Sequence, residues 1–442
     1  MAQSMHRNNK LASISAMLFI AAAISIPNVN TYTYVGVFSV LLLFLCINNF
    51  RRYLIGFCIF GAPFILLVQS FYNISVTKII LGVIAVQVFV LLQGRKTIRF
   101  SPKFFVGYGL WLSAVFVLIL IGFYFSPKSY YTINYTQYFI IYTIFYCLAG
   151  LIIVQSDIKI EEVLLPGTLF FICIYPLFGI SLLNIPANVF YSSVGLRTFR
   201  EFDSIGIGRI AGCLSTMAVF SVIKNIGVKK NKMLFGQIAL ALTASLPILW
   251  YSQLRQGVIA LGAVILLAIW VAFSGSSRRA FSRNFLLLSL LMLTLSGFLY
   301  FMHWANLNLE QARTVELIDS SSRIDAWQAA WGRICANPIA GYGLGGFYSS
   351  YSSWPHNWIL ESWHDYGVFG LLLFGFPVFR IITNLFYSKE GRGRYWLLVS
   401  VFYLVVMQFS CDIARNTIIF LFFSIAIAES WVKPNSQDKY ET

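Results

Sequence analysis

The sequence predicts an all-α, polytopic membrane protein with about fourteen transmembrane helices, in a range of about twelve to fourteen. Hydrophobic residues make up 58% of the 442 residues and charged residues only 11%, whereas a soluble globular protein is about a quarter charged. The mean hydropathy is +0.75. Apolar runs of roughly 17 to 22 residues recur along the chain, each long enough to cross a bilayer as a helix. A transmembrane β-barrel would show short alternating segments instead.

Polar connections divide these runs into separate spans within one integral membrane domain, 1–442. The predicted spans lie at about 11–27, 34–49, 53–71, 77–93, 104–125, 138–155, 163–184, 209–226, 233–250, 256–274, 284–302, 366–387, 395–410 and 417–432. The first run follows Lys10 without an obvious small-residue cleavage site, so we interpret it as a span rather than a removed signal peptide.

Basic residues predict the orientation of the spans. The net charge is +16, but the lysines and arginines occur in short clusters between apolar runs, such as Arg51 with Arg52 and Lys229 with Lys230. With both termini in the cytoplasm, these clusters lie on the cytoplasmic side, as the positive-inside rule requires. The charge therefore reports topology, and we expect no nucleic-acid partner.

The predicted outer face carries arginine in preference to lysine. The planar fork of arginine binds phosphate oxygens in pairs and stays charged near a membrane, so this bias suggests a phosphorylated ligand. The alternative is that these arginines pair with outer acids such as Glu201, Asp203 and Asp412.

The seven cysteines predict no metal site. They lie mainly in apolar runs, without a CxxC pair or a Cys/His spacing typical of zinc. A disulfide between Cys335 and Cys411 is the alternative to buried thiols. The chain has no Walker A motif, so we expect no cofactor and no ATP hydrolysis.

Two outer loops are long enough to hold a site, 185–208 and 303–365. A compact protein seldom leaves sixty residues without structure, so the second loop is predicted to carry its own helices. Within it, Ser322-x-x-Asp325 resembles a capping box that opens an amphipathic helix. Arg323 would then lie in the first turn, where free backbone N–H groups favour an anion. Pairing of Arg323 with a neighbouring acid is the alternative.

The segment Trp354-Pro355-His356-Asn357 is the predicted catalytic turn. Proline favours the first helical position, which would place His356 at the start of a helix that continues into the next span. The helix dipole and the nearby arginines disfavour the charged imidazolium, so His356 is the candidate general base. The alternative is an interfacial histidine bonded to a backbone carbonyl, which is our interpretation of His303 and His364.

Glycines and aromatic residues surround this turn. The spacing Gly341-x-Gly343-x-x-Gly346 matches a dinucleotide fingerprint, but no strand precedes it, so we predict a tight turn or a close backbone approach instead. Six of the eleven tryptophans fall in the same loop. They form a membrane-interface belt or stack on sugar rings, and composition leaves both open.

Arg255 lies in a very short connection between two apolar spans. A charge so close to the membrane core is costly and is usually functional or paired.

Together these segments resemble the O-antigen ligase and Wzy-type O-antigen polymerase superfamily of bacterial membrane glycosyltransferases. The resemblance covers roughly residues 205–375. Its motifs are GRIAG around Arg209, SQLRQG around Arg255, SSSRIDAWQAAW around Arg323 and PHNWILE around His356, followed by a Gly367-Val-Phe-Gly370 turn.

The resemblance implies a GT-C-like enzyme of the bacterial inner membrane with a periplasmic site. Such an enzyme transfers a glycan from undecaprenyl diphosphate without a metal, to a lipid-linked repeat unit in the polymerase or to lipid A-core in the ligase. The short loop and the glycine-rich GYGLGGF favour the polymerase, for which a chain-length regulator protein is a further partner. By resemblance, His356 activates the acceptor, and Arg255, Arg323 and Arg209 hold the diphosphate.

The predicted substrate-binding residues share these two loops or their borders. They are Arg209, Arg200, Arg197, Asn357, Glu361 and Tyr342.

Two other classes of protein remain as alternatives. A transporter of lipid-linked glycans would need no base and would show charged or broken helices near mid-membrane. A structural membrane protein would leave Arg255 unexplained.

Overall fold

A computed structural model provides the structure of the chain. It describes residues 14–20, 38, 49–65, 69, 75–93, 102–127, 130–178, 204–225, 232–251, 255–273, 319–351, 354–387, 394–408 and 417–429. Throughout these ranges the ordered elements are α-helices and no strand occurs. The all-α class is therefore confirmed.

Thirteen helices are bounded within the described ranges. In chain order they are α1 (Val76–Gln93), α2 (Pro102–Phe125), α3 (Tyr130–Ser156), α4 (Ile160–Phe171), α5 (Ile174–Phe178), α6 (Ser204–Asn225), α7 (Lys232–Tyr251), α8 (Arg255–Phe273), α9 (Asp319–Ala336), α10 (Gly346–Tyr351), α11 (Trp358–Tyr387), α12 (Arg394–Val406) and α13 (Ile419–Glu429). Residues 14–20 and most of 49–65 are also helical.

Seven stretches of the described helices are long and apolar enough to cross a membrane. They fall within α1, α2, α3, α4 with α5, α6, α7 and α11, and shorter apolar helices occur in α12 and α13. The chain is thus a membrane protein, although seven is the number supported, against about fourteen predicted. The predicted span 284–302 lies outside the described residues, as does all of 34–49 except residues 38 and 49, and the GT-C-like likeness stays a prediction.

One predicted span, 163–184, is broken into two helices. Pro176 in α5 has no N–H with which to bond the carbonyl of Ile172, four residues earlier, so the helical ladder fails there. The chain makes a tight turn instead, in which the Tyr175 N–H donates to Ile172 O at 3.0 Å. α4 accordingly ends at Phe171 and α5 begins at Ile174.

Two helices form the centre of the bundle. α6 packs against α4, α7, α8 and α12, and α13 packs against α2, α3, α11 and α12. Every residue from Ile419 to Ala428 of α13 is buried. Hydroxyl groups join neighbouring helices inside this apolar core: Ser215 and Ser245 are 2.7 Å apart, and Tyr108 and Ser424 are 2.5 Å apart. Interhelical bonds of this kind supplement van der Waals packing where lipid weakens the hydrophobic drive.

One end of the bundle, here called the ion-pair end, gathers three of the predicted cytoplasmic segments. Arg52 lies 2.5 Å from Glu162, and Lys224 lies 2.7 Å from Glu161. Tyr395, next to the predicted cytoplasmic Arg394, packs its ring 5.1 Å from the Lys224 ammonium. Segments assigned to one side by their charge thus meet at one end of the fold.

The opposite end, here called the histidine end, gathers the end of α2 and the beginnings of α3 and α11. Leu344 donates its N–H to Gly122 O of α2 at 2.9 Å, and Tyr135 of α3 donates to Glu361 of α11 at 3.1 Å. α11 is kinked at Gly367, where the backbone leaves the helical region at φ 64° and ψ −159°. The short helix α10 and the end of α9 pack over this end.

Candidate functional site

The site is built around a turn that precedes α11. His356 adopts a φ of 52°, the left-handed region that a residue with a Cβ seldom occupies. α11 begins at Trp358, so Pro355 is not its first residue, as the sequence suggested. Asn357 is the N-cap instead: its Oδ1 accepts the N–H groups of Ile359 at 3.0 Å and Leu360 at 3.1 Å. The side-chain cap thus starts the helix three residues later in the chain than a start at Pro355 would place it.

The backbone around His356 is held from both sides. Trp327 of α9 donates its indole N–H to Pro355 O at 2.7 Å. After the turn, Asn357 Nδ2 donates to the Gln408 side chain at 3.2 Å, and the Trp358 N–H donates to Met407 O at 3.2 Å. A left-handed residue persists only where its surroundings determine it, and such strain gathers at functional sites.

A stack of aromatic rings packs against the residue at the start of this turn, Trp354. Trp354 is buried between Tyr135 and Tyr348, with ring centroids 5.2 Å and 5.0 Å away and nearly parallel planes. Both faces of Trp354 are therefore covered, so this ring supports the turn and does not stack on a sugar in this arrangement. Tyr135 also donates to buried Glu361, which ties the predicted binding residue Glu361 to α3.

The glycine segment docks on α11 rather than on a nucleotide. The N–H groups of Tyr342 and Gly343 donate to the carbonyls of His364 and Asp365 at 2.9 and 3.0 Å. A Cβ on Gly343 would meet the α2 backbone at Phe125 at 2.7 Å, and one on Gly367 would overlap the carbonyl of Ile339. The prediction of a close backbone approach is thus confirmed, with helix backbone as the partner.

A buried His364–Asp365 pair lies directly under this segment. His364 Nδ1 is 2.8 Å from Asp365 Oδ1, and Asp365 Oδ2 accepts the Gly345 N–H at 2.9 Å. His364 Nε2 is buried without a hydrogen-bond partner in the described part of the chain. The sequence reasoning gave His364 a backbone-bonded role and passed over Asp365. Their adjacency in the sequence was the available signal, but only the fold shows that both are buried.

Tyr342, a predicted substrate-binding residue, has both faces of its ring occupied. His364 stacks on one face at a centroid distance of 5.0 Å. The Arg333 guanidinium lies 4.1 Å from the same ring and donates to Ser350. Tyr342 can therefore meet a ligand only through its ring edge or hydroxyl.

The loop helix α9 begins earlier than predicted. It starts at Asp319, so Ser322 is inside the helix and does not cap it. Asp and Ser are favourable in a first turn, which lets the helix extend toward the N-terminus. Arg323 is consequently the fifth residue of α9 rather than the first, beyond the four free N–H groups on which its predicted anion site relied.

The other predicted arginines occupy different places. Arg209 is buried in α6, with its charge close enough to influence Tyr403 of α12. Arg255 is the first residue of α8. The structure describes the backbone but not the side chains of Arg255 and Arg323, and it does not describe Arg197 or Arg200. The predicted diphosphate clamp therefore stays a prediction.

The cysteines and the possible metal ligands add little to this site. Cys335 is exposed with a free thiol, which makes the alternative Cys335–Cys411 disulfide wrong, and Cys58, Cys147, Cys173 and Cys213 are buried free thiols. Across the described ranges no group of three metal-ligating side chains occurs. Metal independence stays a prediction.

These features define a class of protein: an all-helical membrane protein that presents a strained histidine turn and a docked glycine segment at one end of its bundle. Comparison with known families identifies the class more closely. Residues 236–375 match the family model described as O-antigen ligase. The match includes Arg255, Arg323 and His356 but not Arg209, and it confirms the resemblance to the O-antigen ligase and Wzy-type superfamily. No curated protein matches the chain significantly.

Proposed function

We propose that the protein is an O-antigen polymerase of the Wzy type. It transfers a glycan from undecaprenyl diphosphate to the non-reducing end of a lipid-linked repeat unit, at the periplasmic face of the bacterial inner membrane. The supporting observation is the His356 turn, which lies within the family match and is held in a strained conformation by Trp327, Asn357 and the stack on Trp354.

The reaction needs a base and a stabilised leaving group. A hydroxyl oxygen of the acceptor attacks the anomeric carbon, the bond from that carbon to the diphosphate oxygen breaks, and the hydroxyl proton passes to the imidazole of His356. The diphosphate leaves with the electron pair of the broken bond, so it needs cations nearby. We assign this role to Arg255 and Arg323, with Arg209, Arg200 and Arg197 as further contacts.

The strained turn suits a general base. A base must be held within hydrogen-bond reach of the proton that it accepts. Bonds to the backbone on either side of His356, from Trp327 and to Met407, fix the path of the chain there and so position the residue. Asn357 and Glu361 would then act less as direct ligands than as supports, because each is engaged in the fold.

Transfer to lipid A-core is the second candidate reaction. The matched family model is described as O-antigen ligase, but a match at this level supports ligase and polymerase alike. Both reactions use the same donor and the same base, and they differ in the acceptor alone. The short loop and the glycine-rich segment favour the polymerase.

The test is transfer by purified protein in lipid nanodiscs, supplied with a lipid-diphosphate-linked oligosaccharide and no metal or ATP. A ladder of longer lipid-linked products, separated by size, supports the polymerase. Product that forms only after lipid A-core is added identifies a ligase. Movement of the lipid-linked glycan across the membrane without any transfer would establish a transporter and overturn the proposal.

A further inference from the structure

An exposed apolar patch runs along α9 and into the turn that follows it. Ile324 is 57% exposed, Trp331 is 51% exposed and Ile339 is 65% exposed. Ile324 and Trp331 are seven residues apart and so share one face of the helix. The other face turns inward through Ala330 and Ile334, which are buried. The helix therefore has an inner face that packs on the protein and an outer face on which Ile324 and Trp331 are exposed beside the polar Gln328.

The patch lies beside the membrane-spanning part of α11. Beyond the kink at Gly367, α11 exposes Phe369, Leu372, Phe376 and Phe379, which recur every three or four residues along one face. This stretch belongs to a helix long and apolar enough to span a membrane. An exposed apolar face on such a helix faces lipid.

Direct contacts join the patch to that lipid-facing surface. Pro338 O accepts the Val368 N–H and the Trp363 indole N–H, both at 3.0 Å. Ile339, the next residue, therefore lies at the level at which the exposed face of α11 begins. The Trp331 ring meets Trp363 edge-on with centroids 5.7 Å apart. Tryptophans favour the boundary between lipid and water, where the ring is apolar and the N–H is polar.

We infer that α9 is a membrane-surface helix whose exposed face, Ile324, Trp331 and Ile339, is seated in the lipid headgroup layer beside α11. Exposed apolar side chains grouped in this way mark an interaction surface, and the position of Ile339 beside the lipid-facing face of α11 makes lipid the occupant. Helices with one apolar face bind membranes in this orientation. Arg323, next to Ile324 in α9, is thereby kept near the level of lipid phosphate groups. The inference goes beyond the transfer reaction and does not depend on it.

The experiment measures the depth of a fluorescent label in nanodiscs that contain only this protein and lipid. The label is placed at Ile339→Cys after Cys46, Cys335 and Cys411 are changed to serine, since the remaining cysteines are buried. The matched control is Ser349→Cys, which is exposed on α10 away from the patch. Lipids brominated in the acyl chain should quench most of the fluorescence at 339 and little of it at 349, and iodide in the water should do the reverse.

Native Cys335 supplies a second probe that leaves the patch intact. It is exposed, and it lies four residues after Trp331 on the same face of α9. A label there should also be quenched by brominated lipid, so the inference can be decided even if Ile339→Cys fails to fold. Labels at 335 and 339 that iodide quenches as strongly as at 349, with no effect of brominated lipid, would overturn it. That result would indicate a patch kept for a protein partner.

Discussion

The ion-pair end and the histidine end of the bundle are built from different chemistry. At the ion-pair end, Arg52 and Lys224 bind Glu162 and Glu161 with partly exposed side chains. Exposed pairs of this kind contribute about 0–1 kcal/mol each. At the histidine end, His356 holds a left-handed conformation that costs on the order of 1–3 kcal/mol.

We infer from this difference that the histidine end is the functional one. Charges at the ion-pair end meet opposite charges, so they need no ligand to explain them. Left-handed residues occur at both ends, at Asp157 and at His356, but the His356 turn lies within the family match and is fixed by hydrogen bonds from Trp327 and to Met407.

The largest expected effect is loss of the base. His356→Asn should lower glycan transfer by about 10²–10⁴-fold, the usual contribution of a general base. Asparagine tolerates a left-handed backbone, so the turn should keep its shape. The matched control is Lys224→Met at the ion-pair end, which should leave transfer within a small factor of the unchanged protein. Transfer that survives His356→Asn in normally inserted protein would remove the base assignment.

The next largest effect concerns the arginine fork on α9. Arg323→Lys should strongly reduce transfer, because a point charge cannot replace two parallel donors to a diphosphate. Arg333→Lys on the same helix is the control, since Arg333 is engaged by Tyr342 and Ser350. Initial rates at several donor concentrations separate binding from turnover. Equal losses in the two variants would contradict a specific role for Arg323.

A third test weighs the glycine kink of α11. Gly367→Ala should destabilise the protein by more than about 2 kcal/mol, because the added Cβ overlaps Ile339 O and the φ of 64° is unfavourable for alanine. Gly375→Ala, in the same helix with open space around it, should be neutral or stabilising by up to about 1 kcal/mol. Thermal unfolding in detergent compares the two. Similar midpoints for both variants would argue against the close approach of the glycine segment.

The smallest expected effect is on the free energy of unfolding, when one carboxylate is replaced at each end. Asp365→Asn should cost about 1–3 kcal/mol, since the buried carboxylate accepts from both Gly345 and His364. Glu162→Gln should cost no more than about 1 kcal/mol, since its partner Arg52 is partly exposed. Urea unfolding in mixed micelles can rank them. A larger loss for Glu162→Gln would reverse the contrast between the ends.

Periodicity and hydropathy predicted the helices well because a membrane helix must satisfy its own backbone. α1 and α2 lie within a few residues of their predicted bounds. The differences came from local competition: Pro176 divides the predicted span 163–184 into two helices, although Ile160–Leu177 remains long and apolar enough to cross a membrane. Asn357 caps α11 where proline had been expected to start it. Both residues were visible in the sequence, but which of two signals wins depends on the packing around them.

The sequence by itself determined the membrane class, the all-α fold and the resemblance to the O-antigen ligase superfamily, because hydropathy and motif spacing are local properties of the chain. The tertiary structure decided which residues contact one another around the site. Tyr135 stacks on Trp354, Asn357 bonds Gln408, and Asp365 accepts a hydrogen bond from the glycine segment. Tyr135 is separated from Trp354 by more than two hundred residues, and no local pattern encodes such a contact. Strain at His356 likewise became apparent only in the folded chain, since long-range contacts hold the turn in place.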